Sequence, residues 1–397
     1  MRIVEYRKAK ANFDLGVFYF KNDDFENALT AFQTAIELNP GNPLFWQELG
    51  LSYFRTGNTE EALKACAKAV ELDPHCYCVY LKLAKIYAAE GNFIKSIKAY
   101  EKAIYLGFDS GWIYNELGDC LSKIGNITMA KSCYQTALEK ELNRHVANSW
   151  ELNGGGEPKF LIIGYSQCGA QHLYNYLIQH PQILPAAKKD VRFFTENYHY
   201  GIDWYEAHFP VIPKEKNYIT GEVSVNYVEH PAVIERIYKN FPNIKMIILL
   251  RNPVERAYFK YQLWKKANSS ALPFEEAIAK ELERAEGGAN AVFGETNEIN
   301  FLAKNFYLQN LKSWMSKFQR KQFLVLQSAE LFSNPENVVN NVFHFLELPE
   351  QKIQKQPTEQ TFERFQPGSK ALQKTLKDYF QPQNQLLEEF LRMELNW

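Results

Sequence analysis

The first third of the chain repeats itself every 34 residues, and this period constrains the fold more than any other feature of the sequence. A leucine followed by glycine or alanine recurs at positions 15, 49, 83 and 117. Small residues recur at 28, 62, 96 and 130, and alanine recurs at 35, 69, 103 and 137. Because a unit this short cannot bury its apolar face alone, consecutive units must stack into a solenoid with a concave groove.

The period and the residue classes resemble those of the tetratricopeptide repeat, in which each unit is a pair of helices. The resemblance implies four repeats that begin near residues 9, 43, 77 and 111, and an all-α solenoid over residues 1–142. We interpret its groove as a site for a protein or a peptide. The alternative is that the repeats only cap or dimerise the domain that follows. The glycine-rich residues 143–158 are predicted to be a linker.

Composition excludes several classes of protein. The net charge of −1 over 397 residues predicts no general affinity for nucleic acid. No apolar stretch approaches the ~20 residues of a membrane span, and no secretory signal opens the chain. Six scattered cysteines favour a reducing compartment, and the group at residues 75–78 lacks the paired spacing of a zinc site. We therefore expect a cytoplasmic, bacterial protein without a metal.

The region 159–397 is predicted to be a three-layer α/β/α domain, because apolar strands alternate with helical stretches there. Strands are predicted at 159–164, 191–194, 222–228, 245–250 and 323–327, and helices at 171–179, 231–240, 254–266, 300–318 and 335–346. Such an alternation favours a mainly parallel sheet, whose ligands bind at the carboxyl ends of the strands. The turn-rich residues 267–300 are interpreted as a mobile lid or an acceptor-site insertion.

A glycine-bounded loop follows the first of these strands. Gly164 ends the strand, and Gly169 precedes the helix that begins near Gln171. A loop between a strand and a helix N-terminus presents backbone N–H groups to an anion. The spacing of the two glycines matches the start of a nucleotide-binding P-loop, but Ala170 and Gln171 replace its lysine and hydroxyl residue. The loop is therefore P-loop-like without being a triphosphatase loop.

The region from residue 159 onward resembles the sulfotransferases that use 3′-phosphoadenosine 5′-phosphosulfate (PAPS), and in particular their carbohydrate branch. The resembling segments follow the motif order of that family over about 240 residues: 159–181, 188–194, 201–210, 221–227, 245–258, 307–314, 379–384 and 397. The resemblance implies PAPS as co-substrate and transfer of a sulfuryl group to a hydroxyl or amine of a carbohydrate or small-molecule acceptor.

The resemblance also assigns the site residues. Asp190 stands where the carbohydrate branch has its glutamate base, and Arg192 stands where it has a histidine. The two are predicted to share a strand face, where an ion pair would favour the ionised carboxylate and lower its basicity. The alternative is an ordinary surface ion pair. Arg251 matches the family's arginine for the 3′-phosphate.

Four donor-site positions depart from the family. Gln167 replaces the lysine of the loop, Ala170 and Gln171 replace two hydroxyl residues, and Phe259 replaces the serine that accompanies Arg251. Lost donors of this kind typically cost roughly 10²–10³ in rate. Four residues are candidates to compensate for them: Lys188, Lys189, Arg192 and His172. Two hypotheses follow, an active sulfotransferase with an altered donor site and a pseudoenzyme that serves as a binding module.

Overall fold

The computed structural model describes residues 3–145, 155–213, 216–225, 227–267, 272–286, 300–302, 305–354, 368–395 and 397. Contacts between residues divide the chain into two compact units, Met1–Ser149 and Trp150–Trp397, and their boundary falls inside the stretch predicted to be a linker. Most of that linker, residues 146–154, lies outside the described residues.

The first unit consists of helix pairs in the predicted register. Its helices are α1 Ile3–Lys21, α2 Phe25–Leu38, α3 Pro43–Arg55, α4 Thr59–Leu72, α5 Tyr77–Ala89, α6 Phe93–Tyr105, α7 Gly111–Lys123 and α8 Ile127–His145. The repeated glycine is needed because the paired helices approach closely. A Cβ atom at Gly16 would lie 2.6 Å from the Phe32 ring. Successive repeats are joined by an ion pair between Glu48 and Lys82, which lie 34 residues apart.

The second unit is a three-layer α/β/α domain around a parallel sheet. Its strands are β1 Phe160–Ile162, β2 Ile183–Leu184, β3 Ile219–Val223, β4 Lys245–Leu250 and β5 Phe323–Gln327. They pair in the order β2-β3-β1-β4-β5, and every pairing is parallel. The central strand β1 is buried at all three positions, as expected for a strand covered on both faces.

Helices cover this sheet. They are α9 Ala170–Leu177, α10 Ile202–Glu206, α11 Pro231–Asn240, α12 Pro253–Ala267, α13 Phe274–Glu286, α14 Tyr307–Lys317, α15 Ser328–Ser333, α16 Pro335–Phe345 and α17 Lys370–Leu391. In the described part of the second unit, β3, β1 and β4 are neighbours, so their carboxyl ends lie together at one edge of the parallel sheet. The candidate site lies at that edge.

Several sequence predictions need correction. Residues 191–194 do not form a strand, because Phe193–Asn197 is a π-helical turn whose two phenylalanines are buried by ring packing. The strand predicted at 222–228 lies at 219–223, and the helix predicted at 300–318 is observed from Tyr307 to Lys317. Strand β2 and helices α10, α13, α15 and α17 were not predicted.

The stretch interpreted as a lid, 267–300, contains helix α13, and its glycine turns lie outside the described residues. Within the described ranges, no helix combines the length and apolarity needed to span a bilayer. The same ranges contain no cluster of three His, Cys, Asp or Glu side chains arranged to hold a metal ion.

Candidate active site

The loop that follows β1 turns sharply before helix α9. Gln167 and Gly169 both adopt positive φ, +67° and +89°. Glycine is required at 169, because a Cβ atom there would also lie 2.9 Å from the Phe332 ring. Helix α9 then begins at Ala170. Since the first N–H groups of a helix have no partner within it, the turn offers backbone donors to a ligand.

A cavity of about 360 Å³ opens at this turn. Six of the ten predicted donor-site and catalytic residues line it, together with residues of the loop after β1, of the loop after β3 and of α12. The lining residues are Tyr165, Ser166, Gln167, Gly169, Ala170, Gln171, His172, Val225, Phe259, Gln262, Leu263 and Lys266. Gly164, Asp190, Arg192 and Arg251 do not line the cavity.

Three consecutive carbonyl groups of the loop each accept a hydrogen bond from a side chain outside it. Arg256 Nε donates to Ser166 O at 3.0 Å, Arg251 Nη1 donates to Gln167 O at 2.9 Å, and Ser328 Oγ donates to Cys168 O at 2.6 Å. In a planar trans peptide the N–H points opposite to the carbonyl. The three bonds therefore fix the N–H groups of residues 167, 168 and 169 as well.

Arg256 is the most deeply buried of these donors, and its side chain is inaccessible to solvent. Besides Ser166 O, it donates to Glu229 Oε1 and to Asn305 Oδ1, each at 3.0 Å. A buried guanidinium needs this many acceptors to offset its desolvation. Arg256 lies in the first turn of α12, five residues after Arg251. Its hydrogen bond to Ser166 O indicates that it supports the loop.

Arg251, the residue expected at the 3′-phosphate, is engaged inside the protein. Its Nε bonds to Glu255 Oε2 at 3.0 Å, and its guanidinium carbon lies 4.0 Å from the centre of the Phe259 ring. Phe259 lines the cavity, whereas Arg251 does not. Phe259 thus covers one face of the arginine that a serine would leave open to a phosphate.

The positive charge at the cavity does not come from position 167 of the loop, where the family has a lysine. Among the candidates for compensation, only His172 lines the cavity in the described structure. Lys189 instead donates to Asn175 Oδ1 at 2.7 Å, and Arg192 bonds to Asp190. Lys266, on the last turn of α12, also lines the cavity. Sequence reasoning missed Lys266, which no motif marks.

Asp190 is the centre of a polar cluster at the end of β3. Its Oδ2 accepts from Arg192 Nε at 3.1 Å, and its Oδ1 accepts from Ser224 Oγ at 2.7 Å. Asp190 is 17% exposed at its side chain, so solvent or an acceptor can reach it. The ion pair between Asp190 and Arg192 is present, although the strand predicted at 191–194 is not. The backbone of Arg192 has a positive φ of +53°, and this turn directs its side chain back toward Asp190.

Glu222 is the second carboxyl of this cluster, and its side chain is completely buried. Its Oε1 accepts from Tyr205 Oη at 2.9 Å, and its Oε2 accepts from the Val191 N–H at 3.2 Å. Burial raises the pKa of Glu222 to about 8, and the charge of Asp190 adds to the increase. Sequence reasoning missed Glu222 and Ser224. Their alternation about Val223 was the available signal, since alternate strand residues share a face.

Comparison with known proteins adds to this geometry. The model of the sulfotransferase domain matches residues 157–392. Models of the tetratricopeptide repeat match residues 4–43, 13–76, 48–111 and 113–139. These matches confirm both resemblances inferred from the sequence, the helical repeats and the sulfotransferase fold behind them.

Individual relatives cover parts of the chain. The membrane-associated sulfotransferase kil1 of Dictyostelium discoideum is 25% identical over 60% of this chain and 66% of its own length. Human bifunctional heparan sulfate N-deacetylase/N-sulfotransferase 3 is 32% identical over 48% of this chain and 22% of its own length. A sulfotransferase structure from Alicyclobacillus acidocaldarius is 27% identical, with a TM-score of 0.48, over 60% of this chain and 98% of that one. The chain spans less than two thirds of these two curated relatives.

Proposed function

Because the chain belongs to the sulfotransferase domain family, as the match over residues 157–392 shows, we propose that it transfers a sulfuryl group from PAPS. The acceptor is a hydroxyl or amine of a carbohydrate or a small molecule. The observation that carries this proposal is the loop at residues 166–168, in which each of three carbonyl groups accepts a hydrogen bond from a side chain. Such preorganisation is what a site for transfer of a charged group requires.

In this proposal the donor's 5′-phosphosulfate lies at the loop between Gly164 and Gly169. Backbone N–H groups and the N-terminus of α9 hold its oxygens, as at other phosphate-binding turns. Ala170 contributes only its N–H group. Gln167 and Gln171 add neutral amides, His172 adds an imidazole, and Lys266 adds positive charge from the cavity wall. No metal is assigned to this step.

Asp190 is proposed as the base. Its carboxylate takes the proton from the acceptor while the acceptor oxygen or nitrogen forms a bond to sulfur. The bond between sulfur and the 5′-phosphate oxygen breaks, and adenosine 3′,5′-bisphosphate leaves. Arg192 holds Asp190 at 3.1 Å and so orients the carboxylate. Val225 lines the cavity and follows Ser224, which bonds to Asp190, and this supports the assignment of the base beside the donor site.

The second candidate is a binding module that no longer transfers sulfate. It is favoured by the state of Arg251, which bonds to Glu255 and to Gln167 O and stacks on Phe259. A donor's 3′-phosphate would have to displace these partners. Under either candidate, the repeats of the first unit are proposed to recruit a protein or peptide in their groove.

Calorimetric titration with adenosine 3′,5′-bisphosphate separates the two candidates. An active site predicts saturable binding that weakens at least tenfold in Lys266→Ala, because the cavity then loses a cation. Lys265→Ala is the matched control, since Lys265 is an exposed neighbour on α12 that does not line the cavity. Absence of binding to the wild-type chain, together with no transfer of labelled sulfate from PAPS, would favour the binding module.

A further inference from the structure

Ser224 joins the two carboxyl groups of the cluster. Its Oγ lies 2.7 Å from Asp190 Oδ1 and 3.4 Å from Glu222 Oε2. The same oxygen accepts a hydrogen bond from the backbone N–H of Arg192 at 3.3 Å. A serine hydroxyl has one proton to donate, so it can satisfy only one of two ionised carboxylates at a time. The shorter distance places that proton on the bond to Asp190.

The surroundings of Glu222 disfavour a negative charge. The groups that face it are the hydroxyl of Tyr205 on α10, the hydroxyl of Tyr227 after β3, the Val191 N–H and the carboxylate of Asp190. The cation of the cluster, Arg192, bonds to Asp190. The three donors among these groups favour the ionised form, but burial has the largest influence and acts with the charge of Asp190 to keep the proton on Glu222.

We propose that Glu222 is the positioning residue of Asp190: as a neutral acid it donates to Ser224 Oγ, and Ser224 in turn donates to Asp190 Oδ1. This chain of two hydrogen bonds has a single direction. It holds Asp190 in its ionised form and aims the other oxygen, Oδ2, toward Arg192. The inference rests on the proposed function, because Asp190 is the group that it serves.

The chain loses its single direction if Glu222 loses its proton. Two negative charges would then be separated by one hydroxyl, and Ser224 could donate to either of them. Burial raises the pKa of Glu222 to about 8, so the ordered arrangement holds at neutral pH and is lost as the pH rises through that value. Like-charge pairs that share one site behave in this way, with one member protonated and the other ionised.

Infrared spectroscopy of the full chain tests the arrangement without relying on turnover. At neutral pH the wild-type protein should show the carbonyl band of a protonated carboxylic acid, which Glu222→Gln removes. Asp190→Asn should keep that band but let it disappear at lower pH, because the neighbouring charge is gone. Ser224→Ala should keep the band and move its frequency, since the acid loses its hydrogen-bond acceptor. Glu235→Gln is the control, a 69% exposed carboxylate paired with Lys317.

Three results would overturn the inference. The first is a wild-type spectrum without a protonated carboxyl band at neutral pH, and the second is a band that survives Glu222→Gln. The third is a band that Ser224→Ala leaves at the same frequency, which would refute the bridge. Because none of these readouts needs PAPS or an acceptor, the inference and the proposed activity fail in different experiments. An inactive protein with the full set of band changes would refute the proposed transfer and keep the hydrogen-bond chain.

Discussion

Glu222→Gln should change how the stability of the second unit depends on pH. In the folded protein the pKa of Glu222 is raised to about 8 by burial, against an ordinary value of 4.5. Between these two values the folded state holds a proton that the unfolded state has released. The free energy of unfolding therefore falls as the pH rises, which is the sign that linkage requires when the folded state binds more protons. A glutamine has no proton to release.

The size of the effect follows from the two pKa values. They lie about 3.5 pH units apart, and each pH unit corresponds to about 1.4 kcal/mol. Relative to Glu222→Gln, the wild-type protein should lose up to about 5 kcal/mol of unfolding free energy between about pH 4.5 and pH 8. Glutamine fills the same space but has one carbonyl oxygen for the Tyr205 and Val191 donors. The substitution therefore also changes the free energy of unfolding by an amount that does not vary with pH.

Urea unfolding at a series of pH values measures the difference. The indole rings of Trp204 and Trp314 are fully buried in the second unit, and their fluorescence reports its unfolding. Subtracting one curve from the other removes the contribution of titrating groups that do not interact with Glu222. Glu235→Gln should run parallel to the wild type, because that carboxylate is mostly exposed. If the Glu222→Gln curve also runs parallel, Glu222 is ionised in the folded protein and the reasoning is wrong.

Three further predictions concern the site and the repeats. Asp190→Asn should lower any sulfate transfer by roughly 10²–10⁴-fold, the usual loss of a general base, and unchanged turnover in a labelled-sulfate assay would place the base elsewhere. Restoring the family's donor residues should tighten adenosine 3′,5′-bisphosphate binding at least tenfold by calorimetry, because it returns one cation and three hydroxyls, and unchanged affinity would contradict the assigned donor site. The four changes are Gln167→Lys, Ala170→Thr, Gln171→Thr and Phe259→Ser. A fragment ending at Asn143 should be strongly helical by circular dichroism, because its helices pack within the unit, and an unfolded fragment would show dependence on the second unit.

The sequence by itself determined the two architectures. A 34-residue period with a small residue at fixed places leaves little but stacked helix pairs, because only small residues fit where paired helices approach closely, and at Gly16 even a Cβ atom would meet the Phe32 ring. The run from Lys245 to Leu250 likewise indicated a buried parallel strand. The glycine loop before α9 could be located because its turn needs positive φ at Gly169.

Tertiary structure decided what the side chains at the site are bonded to. Residues 191–194 are mostly apolar, as in a short buried strand, but the two phenylalanines are buried by rings of other elements, which the local sequence cannot show. The engagement of Arg251 by Glu255 and Phe259 depends on the winding of α12. The pairing of Asp190 with Glu222 joins groups 32 positions apart through one serine. Such contacts form only when the chain has folded, because the pKa and the hydrogen bonds of a side chain depend on its three-dimensional surroundings.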